Sequence, residues 1–407
     1  MGALQDPTGQ CPVRDSSALV SVPEPSALAL RYYRSGNVLW AVDNLVGLLI
    51  PAVFLYSGLS ARLRTLAFRW GRRWLPSLAL YGFLFVCISA LVSLPLSYYE
   101  GFVREHAYGL STQTVARWAS DWAKGTGLAA LGLSLVIGIP YWLLRKSPQR
   151  WWLYTGLAAA PLATFLLIIS PVWIDPMFND FGRMKDRQLE QRILALAARA
   201  GISGSRVYEV DKSKDTRTVN AYVTGVGSTK RIVLWDTILQ KLDQDQILFA
   251  VGHEMGHYVL GHVPKAIAVI TLLMTGSLCV IHLMAGRLIL RFSPRFGFTR
   301  LSDVASFPLL LLLGSLVSLL VSPALLAFSR HQEHEADRFG LELTRDNRAA
   351  ATAFVRLQEE NLAVPRPGWL YVFWRASHPP LGERVDFANQ YRPWECGAAS
   401  KYGRLFR

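Results

Sequence analysis

The sequence predicts a mainly α-helical, polytopic membrane protein: about six transmembrane helices, together with a polar domain that contains a small β-sheet. Three observations carry this. Hydrophobic residues make up 51% of the 407 and aromatics 12%, while charged residues fall to 18%, against about 25% in an ordinary soluble domain. Six apolar stretches reach the ~20 residues a helix needs to cross a bilayer. The arginines behind the net charge of +14 gather at the ends of those stretches, where lipid headgroups lie. No basic-aromatic nucleic-acid module is present, so the bilayer, and not nucleic acid, is the partner the charge implies.

The spans fall at about 39–59, 75–96, 125–144, 151–173, 267–285 and 307–328. Residues 1–36 read as a polar, Pro/Ser-containing tail without the basic start and apolar core of a cleavable signal peptide, so the first span is expected to act as an uncleaved anchor. Pro95 and Pro140 sit near span ends, and Trp74, Tyr98, Tyr99, Trp142, Trp151, Trp152 and Trp173 sit where aromatic belts form. The chain thus divides into the tail, a four-span membrane domain (37–174), a polar insertion (175–264), two further spans (265–328) and a polar C-terminal part (329–407). Four cysteines, Cys11, Cys87, Cys279 and Cys396, include no C-x-x-C pair. Neither a disulfide framework nor a cysteine metal site is expected; a Cys11–Cys396 bridge is the one pairing left open.

Within the insertion, Leu189, Ile193, Leu196 and Ala197 recur at helical spacing up to Gly201. Short β-like runs follow at 206–211, 218–226 and 230–235, with a Gly-Ser-Thr turn at 227–229. A last helix, from about Gln244, ends just before Pro264.

That last helix contains His253-Glu254-Met255-Gly256-His257, an H-E-x-x-H motif. Positions i and i+4 share a helix face, so both imidazoles can reach one tetrahedral zinc ion. Glu254 stands one step round, placed to take a proton from water activated by the metal and pass it to the leaving amine. Leu248, Phe249, Val251, Val259 and Leu260 make the helix apolar, where two histidines and a glutamate are costly without a metal. A third ligand is expected in 329–337: Glu333 with Asp337 four residues on, or Glu335, His331 or His334, among which spacing does not decide. Two spans separate His257 from this segment, and an even number of crossings returns the chain to the same side. The glycines Gly252, Gly256 and Gly261 suggest close packing against another element or bound peptide. His262, His282 and His106 are given no catalytic role.

The ordered set VGHEMGHYVLGH, SRHQEHEADRFG and SHPPLGERV, with NAYVTGVGSTKRIVLWDTIL and LPLSYYEGFVREHAYGLSTQT upstream, resembles the type I CAAX prenyl proteases and their HtpX-like relatives from about residue 37 to 390. The resemblance implies a gluzincin-type zinc metalloendopeptidase. It makes Glu333 the third zinc ligand, Asp337 the group that holds His253, and His378 a residue that places substrate or stabilises the oxyanion. It implies that Asn220 and Tyr222 lie on an edge strand that binds peptide by β-addition. It also implies that the substrate is a peptide or protein, either prenylated or membrane-associated, with quality-control cleavage of misfolded membrane proteins left open by the same machinery. The eukaryotic members have seven spans, and the first has no counterpart here.

Sidedness draws two opposed expectations. Loops following odd-numbered spans carry Arg62, Arg64, Arg69, Arg72 and Arg73, then Arg145, Lys146 and Arg150, then Arg287, Arg291, Arg295 and Arg300; the positive-inside rule makes these cytoplasmic and the zinc domain extracytoplasmic. The eukaryotic family members face the cytosol.

Three other functions are weighed. Site-2-type intramembrane cleavage lacks its N-P-D-G or L-D-G aspartate, for the chain has no Asn-Pro and no Asp-Gly. Serine hydrolysis lacks a G-x-S-x-G elbow. A zinc-binding membrane scaffold or transporter without peptidase activity would need four protein ligands and no general base, which Glu254 argues against.

Overall fold

The computed structural model describes residues 19–202, 204, 206–225 and 230–407; Cys11 and the turn expected at 227–229 lie outside them. Among the described residues, six helices are long and apolar enough to cross a membrane: Ala27–Tyr56, Trp74–Ala107, Val115–Lys146, Trp151–Met177, His262–Phe296 and Val304–Thr344. Their outward faces carry side chains such as Leu135, Leu290 and Leu320, at 81%, 85% and 78% exposure. Such surfaces suit hydrocarbon and not water.

Each span is longer than its apolar stretch, because intrahelical hydrogen bonds continue into polar sequence until something stops them, although the first already stops at Tyr56, short of the expected 59. The first span begins at Ala27, inside the stretch read as tail, where the Ser26 hydroxyl accepts from the Ala29 N–H at 3.0 Å. The segment before it lies on the polar part of the fold: the Val20 N–H and C=O pair with the Asn389 amide at 3.1 and 2.9 Å. The sixth span matters most. It runs unbroken from lipid-facing Leu320 to Thr344, so residues 329–344 are set rigidly on a membrane helix.

The insertion contains the amphipathic helix Arg187–Arg199, whose buried residues are the predicted Leu189, Ile193, Leu196 and Ala197. Among the described residues, four strands form one sheet in the order β1-β2-β4-β3: β1 (Phe181–Arg183), β2 (Arg206–Val210), β3 (Ala221–Thr224) and β4 (Arg231–Trp235). β4 lies parallel to β2 and antiparallel to β3, with Tyr222 opposite Val233. β3 is therefore an edge strand. Ile232 and Leu234 join Ile193, Phe249, Val251, Met255 and Phe339 in a core shared by sheet, insertion and sixth-span helix.

The H-E-x-x-H helix, Gln244–Val259, starts at a capping box: the Asp243 carboxylate accepts from Gln246 N–H at 2.8 Å and the Gln246 side chain returns to the Asp243 N–H at 3.1 Å. It stops before the predicted limit at Pro264, because Gly261 adopts a left-handed φ of 66°. The chain turns there, and His262 opens the fifth span.

Candidate metal centre and active site

The H-E-x-x-H helix crosses the extension of the sixth span at close range. A Cβ on Gly256 would lie 3.1 Å from Cβ of Phe339 and 3.2 Å from Cα of Ala336; one on Gly340 would lie 3.0 Å from the His253 nitrogen. Glycine at the crossing lets the backbones approach until side chains of both helices meet. Gly252 and Gly256 thus pack against this helix, while Gly261 makes the turn.

At the crossing His253, His257 and Glu333 bring one donor atom each within 4.8 Å of one another. The two Nε2 atoms stand 3.1 Å apart, and each is 3.3 Å from a different oxygen of Glu333. Oε2 of Glu333 is buried and accepts no hydrogen bond among the described residues. Two imidazole lone pairs and an unsatisfied carboxylate oxygen, converging on one point, are a donor set for a metal cation. The remaining candidates turn elsewhere: Glu335 accepts from Lys401 and Tyr402 at 3.1 and 2.9 Å, His334 packs on Phe387, and His331 is exposed beside Glu335.

Asp337, with no exposed surface, sits behind His253, its Oδ1 2.8 Å from Nδ1. That contact fixes the proton on Nδ1 and turns the Nε2 lone pair toward the cluster. Burial disfavours a charged His253, but the adjacent carboxylates of Asp337 and Glu333 outweigh it and push its pKa up to about 10: the pocket favours positive charge.

Two further groups escaped sequence reasoning. Arg384, from the helix Leu381–Gln390, grips Asp337 with both arms, Nε to Oδ2 at 2.8 Å and Nη2 to Oδ1 at 2.5 Å. It also stacks over Phe354 at 4.3 Å. The signal was available: three carboxylates, Glu254, Glu333 and Asp337, exceed what one divalent cation neutralises, and one buried arginine completes the balance. The other is His262, whose Nδ1 lies 2.9 Å from Nδ1 of His257. On an unbroken helix it would point away from His253; the turn at Gly261 folds it back under His257.

A cleft of about 290 Å³ adjoins the cluster, with Glu254, His378, Asn220, Phe354 and Arg384 in its lining. The Glu254 carboxyl is raised above its ordinary pKa by burial and makes no hydrogen bond among the described residues. His378 reaches in from the loop before Leu381, Nε2 3.3 Å from Glu333 Oε2, and its Nδ1 pairs with the Ser377 hydroxyl at 2.8 Å. Asn220 and Ala221 bring the free edge of β3 to the cleft wall. Tyr222, the next residue, does not line it. His106 bonds the Phe102 carbonyl at 2.7 Å, and His282 accepts from Trp151 at 3.1 Å; neither enters the site.

Residues 183–392, half of the chain, match peptidase family M48. The chain belongs to this family. Residues 27–180 of this M48 peptidase also match the N-terminal region of CAAX prenyl proteases, described with five membrane helices where this chain has four candidate spans. The peptidase is 39% identical to the uncharacterised metalloprotease YhfN of Bacillus subtilis, over 90% of this chain and 86% of that one. It is 32% identical to CAAX prenyl protease 1 of Saccharomyces cerevisiae, over 73% and 69%. Its fold matches the crystal structure of S. mikatae Ste24p with a TM-score of 0.75 and 25% identity, covering 88% and 87% of the two chains. The protein is a multi-pass integral membrane metalloprotease that acts on peptide bonds, which sets aside the scaffold and transporter readings.

Proposed function

We propose that this M48 peptidase is a zinc endopeptidase in which His253, His257 and Glu333 hold the ion. The carrying observation is the convergence of two Nε2 atoms and an unsatisfied, buried Glu333 oxygen at the end of a cleft that also contains Glu254. Zinc held by these three residues would supply Lewis-acid chemistry and activate a water for attack.

The chain's own groups do the rest. Glu254, held in a half-buried position that raises its proton affinity, takes the proton of the attacking water and delivers it to the departing amine. His378 donates from Nε2 to the oxygen that gains charge as the carbonyl is attacked. Asp337 acts through His253, keeping that ring in one tautomer and one orientation, and Arg384 keeps Asp337 ionised. A substrate strand adds to the free edge of β3, with main-chain bonds along Asn220–Tyr222 and the Asn220 side chain at the cleft wall.

The relatives named CAAX prenyl protease 1 and the siting of the cleft beside membrane helices favour a prenylated, membrane-tethered peptide as substrate. The test offers a prenylated CAAX peptide and an unstructured protein, each with zinc, to wild type and to Glu254→Gln. Cleavage by wild type, with the variant slower by about 10²–10⁴, supports the mechanism; equal cleavage by both overturns it. Preference for the prenylated peptide establishes the substrate class, and equal cleavage of both substrates by wild type removes it.

A further inference from the structure

At the end of the helical body away from the metal centre, a cavity of about 650 Å³ opens between the third and fifth spans and the loop before the sixth. Arg145, Arg300, His282 and Ser302 contribute its polar lining, Leu144 and Leu290 its apolar wall, and no carboxylate takes part. Neither arginine has an ion-pair partner among the described residues. Arg145 stacks on Trp74 at 4.9 Å, and Asp303, which lines an adjoining cavity with both arginines, is paired with Arg64. The Trp151 indole donates to His282 Nδ1 at 3.1 Å, which leaves the proton of a neutral ring on Nε2, as a further donor.

Cationic donors on one wall thus face an apolar wall whose outermost member, Leu290, is 85% exposed on the lipid-facing surface. A soluble anion would use only the first wall. A phosphate ester with acyl chains attached uses both: the headgroup among the arginines, the chains along Leu290. We propose that this cavity binds the headgroup of an anionic phospholipid in the leaflet at the arginine end.

The test uses the full-length protein in neutral detergent, with thermal unfolding followed against phosphatidylglycerol, phosphatidylcholine or inorganic phosphate. Wild type is compared with Arg145→Gln, Arg300→Gln, their double variant, and an Arg62→Gln/Arg69→Gln control that removes equal charge from the same end outside the cavity. All four side chains are exposed, so the core is untouched. Phosphatidylglycerol affinity should fall about fivefold per cavity arginine and about thirtyfold in the double variant, with the control unchanged. Native mass spectrometry should then find a retained phosphatidylglycerol on wild type and none on the double variant. Equal loss in the control would mean a diffuse basic surface. Equal affinity for phosphatidylcholine, or a response to phosphate as strong as to phosphatidylglycerol, would equally overturn the site.

Discussion

Two arginine–aspartate pairs stand at opposite ends of the helical body, and they differ in surroundings more than in chemistry. Arg384 and Asp337 meet behind the metal centre with side-chain exposures of 9% and 0%. Arg64 and Asp303 meet at the far end at 27% and 26%. In the first pair, neither ion has water to fall back on, and the aspartate also holds His253, a proposed metal ligand. In the second, water and headgroups can replace either partner. Burial, not the presence of a salt bridge, decides what the bridge does: one orders the proposed reaction centre, the other trims the surface of a loop.

The largest effect is expected from breaking the buried pair. Asp337→Asn or Arg384→Met leaves an uncompensated charge or a disordered His253 and should cost about 3–5 kcal/mol, read as a fall in unfolding temperature together with loss of bound zinc. Changing both at once, Asp337→Leu with Arg384→Met, should cost less than the sum of the single changes, because no buried charge is left alone. Strict additivity would mean that the two residues do not act as a unit.

Next comes the support of the second histidine. His262→Ala removes the partner of His257 Nδ1 while leaving all three proposed ligands in place, and zinc affinity should weaken about 10–100-fold. Competition with a chromogenic chelator measures it, and unchanged affinity would make His262 a packing residue only. Below that stands the helix crossing. Gly340→Ala forces a methyl to 3.0 Å from the His253 nitrogen; the helices must part by a few tenths of an ångström, at about 1–3 kcal/mol. Gly252→Ala, whose methyl meets nothing nearer than 3.6 Å, should be mild by comparison.

The same contrast explains what was legible in the sequence. The six spans were readable because lipid demands a long apolar run from each, and the convergence of His253 and His257, the proposed ligands, because a helix fixes their spacing. Glu333 took its place from the motif around it, since spacing left Glu335, His331 and His334 open; the structure separates them by the direction each takes from one rigid helix. Arg384 and His262 were not legible, for different reasons. Arg384 acts across 47 residues of sequence, where no periodicity connects it to Asp337. His262 depends on one left-handed residue, Gly261, and helical spacing read through that glycine puts it on the wrong face. The helix ends differ from the ends of the apolar stretches because hydropathy marks where lipid ends, whereas a helix stops at a cap.

The smallest effect is expected at the far end, and it sharpens the comparison most. Arg64→Met breaks the pair with Asp303 and the bond from Nη1 to the Gly297 carbonyl at 3.2 Å. Both partners stay within reach of water, and Asp303 keeps another task, accepting from the Ala305 N–H at 2.9 Å to start the sixth span. Half-exposed ion pairs contribute about 0–1 kcal/mol, so stability should change by no more than that, with zinc content and peptide hydrolysis unaltered. Raising the salt concentration should shrink even this difference, since exposed charges are screened, while leaving the effect of Asp337→Asn largely intact. If Arg64→Met instead cost as much as Arg384→Met, burial would not be what separates the two pairs. The loop before the sixth span would then have to be treated as part of the machinery that positions Glu333.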